Sequence, residues 1–268
     1  DDLRAFEAFF KNKDTQLSWE AIDADLIRDW MESMMDKGCN ATTIQRRLSA
    51  LRSFFRFGLT RGYVEKNPAR GIVGPKRSRP LPQFLREGEM NRLLDDVPVG
   101  DSYRDLLGYT IVLTFYSTGM RLAELVGLDD DSIDFEARVI KVTGKGSKQR
   151  LIPFADELEA GLKAYIARRD AEVARCDKAF FVDQRGERVK RGAVQNSVRA
   201  SLAKVTSMKK RSPHVLRHSF ATAMLNNDAG LESVKKLLGH ESLSTTEIYT
   251  HTTFEQLRKI YDKAHPRA

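Results

Sequence analysis

Cysteine is almost absent from this 268-residue chain: Cys39 and Cys176 stand far apart, without metal-ligand spacing. Two such residues provide neither a disulfide framework nor a zinc site, and they read as free structural thiols. No apolar run reaches the length of a bilayer span and no signal peptide is visible, which leaves a cytoplasmic protein as the simple expectation. No carboxylates cluster at metal-binding spacing, and neither an internal repeat nor a low-complexity tract appears. The chain opens at Asp1-Asp2 without methionine and in mid-helix pattern, so native sequence is expected upstream of it.

What is present is an ordinary globular composition, 41% hydrophobic and 31% charged, long enough for one large or two modest domains. The net charge of +8 suits a polyanionic partner. Its distribution says more than its sum. Residues 1–36 hold four basic and ten acidic side chains, whereas residues 37–79 hold eleven basic and one acidic. The sign switches within the first third of the chain.

Helical spacing organises that first third. Leu3, Phe6, Phe9 and Phe10 share a face over residues 1–13, and Leu26, Ile27, Trp30 and Met34 do so over 23–37. Residues 38–40 break the pattern. The third helix, about 41–61, places Ile44, Leu48, Leu51, Phe55 and Leu59 toward a core, with a polar stripe of Gln45, Ser49, Arg52 and Arg56 beside them. Such a stripe is either a solvated face or a track for phosphates. Three prolines between Gly71 and Pro82 deny that stretch secondary structure, and Lys76, Arg77 and Arg79 make it basic. The expected division is a helical domain over 1–73, a basic linker over 74–82 and a larger domain over 83–268.

The larger domain opens with helices near 86–95 and 102–117, the second nearly continuously apolar and therefore buried. Thr118-Gly119 turns the chain, and Arg121 begins the next helix with Glu124 three residues on, placed to hold its guanidinium. Residues 138–143 and 149–153 read as two strands joined by Gly144-Lys-Gly-Ser-Lys148, a hairpin with a glycine-lysine tip. Helices near 156–177 and 190–205 flank a short extended piece at 179–182. Ser212-Pro213 then reads as a capped helix start that places His214 and Arg217 in one first turn, where free amides and the helix dipole suit a phosphate. A helix with Leu231, Val234, Leu237 and Leu238 as its buried stripe ends at Gly239-His240, and Ser244 to Tyr249 reads as a short element presenting one tyrosine. Phe254, Leu257, Ile260 and Tyr261 mark a final helix.

His214-x-x-Arg217, Leu238-Gly-His240 and Tyr249-Thr-His251 resemble the catalytic signature of the tyrosine recombinases. Thr118-Gly-Met-Arg121-Leu-Ala-Glu124-Leu resembles that family's first arginine box, and Gly144 to Pro153 its lysine hairpin. The Gly74-Pro-Lys linker and the closing Tyr261 to Ala268 narrow the likeness to the Xer subfamily, nearer its XerC than its XerD branch. The resemblance implies a mainly α fold with a small β-hairpin, arranged as a two-domain DNA clamp: a helical core-binding domain followed by a mixed α/β catalytic domain.

It also implies roles. Tyr249 is the nucleophile, Arg121 and Arg217 clamp the scissile phosphate, and His240 donates to the same oxygens. Lys145 is the general acid, with Lys148 as second choice, and His214 handles the tyrosine proton; His218 and His251 stay outside the set. Arginines suit this task because each presents a permanently charged planar fork. They supply the charge a metal would otherwise bring, so no cofactor, metal or ATP is implied. Gln45, Ser49, Arg52, Arg56, Lys76, Arg77 and Arg79 become DNA-backbone contacts. The implied partners are double-stranded DNA, a homo- or hetero-tetramer with a second Xer recombinase joined through the C-terminal helix, and the FtsK translocase. The competing expectations are an integrase of a mobile element with the same chemistry, and a non-catalytic architectural DNA-binding protein.

Overall fold

The computed structural model describes residues 1–77, 83–144, 148–175, 177–239 and 251–268, with backbone alone at 251–253. The chain divides into two compact units, Asp1–Leu81 and Pro82–Ala268.

The first unit is three helices, α1 (Asp2–Lys13), α2 (Ala24–Asp36) and α3 (Ala41–Thr60). Asp23 and Asn40 cap α2 and α3, their side chains accepting from the amides of Leu26 and Thr43 at 2.8 Å each. Phe6, Phe10, Ile27, Trp30, Met34, Ile44, Leu48, Leu51 and Phe55 form the core. Leu59, expected there, is 46% exposed. One helical step beyond Phe55 falls at Gly58, which is buried beneath Val64 where the chain turns back. The returning strap lies along α3. Arg52 donates to the carbonyls of Ala69 (3.2 Å) and Ile72 (2.6 Å), and Gln45 Nε2 donates to Pro75 O at 3.0 Å.

The second unit is built around α5 (Tyr103–Thr118), whose residues 110–118 are all buried. Before it comes α4 (Glu87–Asn91), which continues as a π turn over Arg92–Asp96. Around it stand α7 (Asp156–Glu172), α8 (Arg191–Ala203) and α9 (Pro213–Asn226). The short α6 (Leu122–Val126) leads to an antiparallel sheet of β1 (Ile133–Asp134), β2 (Val139–Thr143) and β3 (Gln149–Pro153), in that order. Its register sets Ile140 opposite Ile152 and Val142 opposite Arg150. Packed on α9, α10 (Leu231–Leu238) and α11 (His251–Ala264) complete a second cluster containing Phe220, Met224, Val234, Leu237, Leu257 and Tyr261. Leu231, expected in the buried stripe, is 57% exposed because it occupies the first position of α10, before the stripe meets α9. Among the described residues no helix is long and apolar enough to cross a membrane.

Candidate active site

Two glycines set the geometry. Gly119 ends α5 with φ +60°, and a Cβ there would lie 2.5 Å from Phe220 and 2.8 Å from Leu238. The end of α5 is therefore pressed against α9 and α10, and the chain leaves it with Arg121 at the N-terminus of α6. Gly239 ends α10 with φ +67°, and a Cβ there would approach Arg150 Nη1 to 3.0 Å.

Three arginines meet between these turns. Arg217, 8% exposed, donates through Nη1 to Gly119 O (2.6 Å) and through Nη2 to Leu238 O (2.8 Å). Arg121, with its side chain 40% exposed, donates to Glu124 Oε1 (2.9 Å) and to Gly239 O (2.9 Å). Arg150 reaches in from β3, where Nε donates to Leu237 O (2.8 Å) and its two terminal nitrogens donate to the two oxygens of Glu124 (2.8 and 2.9 Å). Arg121 and Arg217, 96 positions apart in sequence, thus come together on adjacent carbonyls at the end of α10.

Their charges act on one another. Arg217 has its pKa pushed down to about 10, by burial first and then by the charges of Arg121 and Arg150, with Glu124 pulling the other way. It stays charged at neutral pH, in a place that an anion would relieve. For Glu124, burial raises the pKa, but hydrogen bonds and charge from Arg150 and Arg121 outweigh it and hold the carboxylate below its ordinary value. His218 is shifted down by partial burial first and then by its neighbours His214, Arg217 and Lys210.

His214 stands exposed on the first turn of α9. Ser212 does not cap it through its side chain: the hydroxyl is buried with no hydrogen-bond partner among the described residues, and the Val215 amide bonds to the Ser212 main-chain oxygen at 2.9 Å. Lys148 is exposed at the base of the hairpin, its carbonyl accepting from the Gly144 amide. Lys145, His240, Tyr249 and Arg79 lie outside the described residues. On the first unit, Arg56, Lys76 and Arg77 are exposed and Ser49 Oγ donates to Gln45 O, while Arg52 and Gln45 spend donors on the strap. Arg150 is the residue that sequence reasoning passed over. The signal was available, since Ile152 must face inward and a period of two then turns Arg150 inward too.

Comparison with known proteins gives the same setting. Residues 83–256 match the Phage integrase family and residues 1–62 the phage integrase N-terminal SAM-like domain. A tyrosine recombinase XerC of Psychromonas ingrahamii is 41% identical over 251 residues, covering 93% of this chain and 83% of that protein. Another, from Chlorobaculum tepidum, is 35% identical over 293 residues, covering 100% and 87%. In fold, the chain is similar to the XerH site-specific recombinase bound to a palindromic difH substrate in a post-cleavage complex (TM-score 0.72, 24% identity, 94% of this chain and 74% of that one).

Proposed function

The chain belongs to the phage integrase family, the tyrosine recombinases, and from that membership we propose that it is a Xer-type site-specific recombinase that resolves chromosome dimers. The observation that carries this reading is the convergence of Arg121 and Arg217 on Leu238 O and Gly239 O, the two carbonyls directly before His240.

The Tyr249 phenolic oxygen attacks a DNA phosphodiester, forming a tyrosine–phosphorus bond as the bond to the sugar 5′-oxygen breaks. Arg121 and Arg217 hold the non-bridging oxygens as charge builds on them, and His240 adds a donor. Lys145 delivers the proton that the 5′-oxygen takes up, and His214 receives the phenol proton. The product is a 3′-phosphotyrosine and a free 5′-hydroxyl. A 5′-hydroxyl of the partner strand reverses the step, so the ester energy is kept. The first unit and the linker grip the DNA backbone through the exposed cations Arg56, Lys76 and Arg77 and through Arg79, which provides affinity without reading bases. Four protomers, two of them from a sister recombinase, exchange strands on the chromosome in the cytoplasm with FtsK as activator. Leu257, Tyr261 and Ala264 of α11 are seated on the chain's own second unit, so joining subunits through α11 requires it to leave that seat.

Covalent capture tests the reaction. Wild type and Tyr249→Phe are incubated with nicked duplexes carrying chromosome-dimer resolution sites and denatured in SDS. The expected result is DNA shifted by protein in wild type alone, attached at the 3′ side. Salt-sensitive binding with no adduct, even with a sister recombinase and FtsK supplied, would leave an architectural DNA-binding protein.

A further inference from the structure

Arg150 occupies an expensive position. It sits on the inward face of β3, in line with Ile152 and opposite Val142, and is 7% exposed. A guanidinium is tolerated there only if its donors are matched. Each of its three nitrogens is, and the partners lie on two different elements: Glu124 on α6 takes the terminal nitrogens and Leu237 at the end of α10 takes Nε. Glu124 is in turn saturated, accepting from Arg150 twice, from Arg121 Nη1 and from the Arg121 amide (2.7 Å). At the end of α10, three successive carbonyls are each held by a different arginine: Leu237 by Arg150, Leu238 by Arg217 and Gly239 by Arg121.

From this linkage we infer that Arg150 is a positioning residue for strand transfer: it couples the base of the lysine hairpin to the phosphate clamp and to the helix end that precedes His240. The inference rests on reading Arg121 and Arg217 as that clamp. Through Glu124, Arg150 decides where the Arg121 fork points. Without it, Glu124 remains buried with Arg121 as its guanidinium partner, and Arg121 is drawn onto the carboxylate and away from a phosphate. Through Leu237 O it fixes the direction in which the chain leaves α10. Lysine cannot replace it, because a point charge cannot serve two carboxylate oxygens and a carbonyl from one plane.

The test separates DNA binding from cleavage. Arg150→Lys is compared with wild type on the same nicked duplex, measuring the rate of adduct formation at saturating DNA and, in a Tyr249→Phe background, the noncovalent Kd. The expected result is an adduct rate lower by ~10²-fold, as for loss of a preorganised donor, with Kd changed less than ~3-fold, since the residue is buried and donates to groups inside the protein. Glu124→Gln should reproduce the defect, and the double variant should be no worse than the worse single, because both act through one link. Should Arg150→Lys fail to fold, Glu124→Gln alone carries the same comparison of rate with Kd. A rate within ~3-fold of wild type, or rate and affinity falling together, would overturn the inference, as would additive singles. Absence of any Tyr249-dependent adduct in wild type would overturn the clamp reading, and the role of Arg150 with it.

Discussion

His265 is 4% exposed, stacked on the Tyr261 ring at 5.0 Å and 13°, with Tyr116 and Phe220 closing over it. Nδ1 accepts from the Arg267 amide at 3.1 Å, which leaves Nε2 to donate to Tyr116 O at 3.2 Å. Burial pushes its pKa down to about 4; the Tyr116 carbonyl opposes this and the Arg267 charge adds to it. The folded state therefore keeps the ring neutral where the unfolded chain, with an ordinary value near 6.5, takes up a proton. Stability is complete above pH ~6.5, declines below it, and the loss levels off under pH ~4. Urea melts should show about 2 kcal/mol of loss between pH 7.5 and 5 that His265→Gln lacks; equal slopes in the two proteins would refute this. Such a residue is hard to read from sequence, since nothing local tells a buried imidazole from a reacting one. The Arg121–Glu124 pair was legible because helical spacing alone brings the two together. For Arg150 only the inward direction was legible, from the strand period; its partners were not, because they come from elements 26 and 87 residues away.

At the level of elements, the left-handed turn at Gly119 decides whether α5 can deliver Arg121 beside Arg217. A side chain there meets both the backbone penalty and the packed surfaces of Phe220 and Leu238. Gly119→Ala should cost about 2–4 kcal/mol and displace the carbonyl that Arg217 holds. Gly192→Ala on α8, where nothing lies within 4 Å of the added Cβ, should leave the melting temperature unchanged or raise it. Matched thermal melts of the two variants check this, and a Gly119→Ala protein as stable as wild type would contradict it. The helices themselves were legible, because apolar residues three and four apart mark a buried face whatever it packs against. The exceptions, Leu59 and Leu231, stand at helix ends, where the periodic pattern runs on past the neighbour that would cover it. The π turn after α4 and the two-residue β1 carry no pattern of their own; tertiary contacts make them.

For the whole molecule, the switch from acidic to basic within the first third was visible in the sequence, but not which cations are free to meet a polyanion. Arg52 and Arg56 read alike there, one helical turn apart on one stripe. In the folded unit Arg52 anchors the strap through Ala69 and Ile72, whereas Arg56 is exposed. The two should therefore separate by experiment. Removing one cation from a DNA phosphate lowers the slope of log K against log salt by ~0.9. Arg56→Gln should lower the slope by about that amount, uniformly across DNA sequences, and leave the melting temperature of the first unit unchanged. Arg52→Gln should destabilise that unit by about 1–3 kcal/mol, through the carbonyls it leaves unpaired. Wherever the variant remains folded, it should keep the wild-type salt slope. Fluorescence-anisotropy titrations between 50 and 200 mM salt (roughly the range over which counterion release dominates), with parallel melts, measure both quantities. If Arg52→Gln changed the slope while the melt stayed fixed, the strap would be incidental, and Arg52 would join Arg56 on the DNA-facing surface.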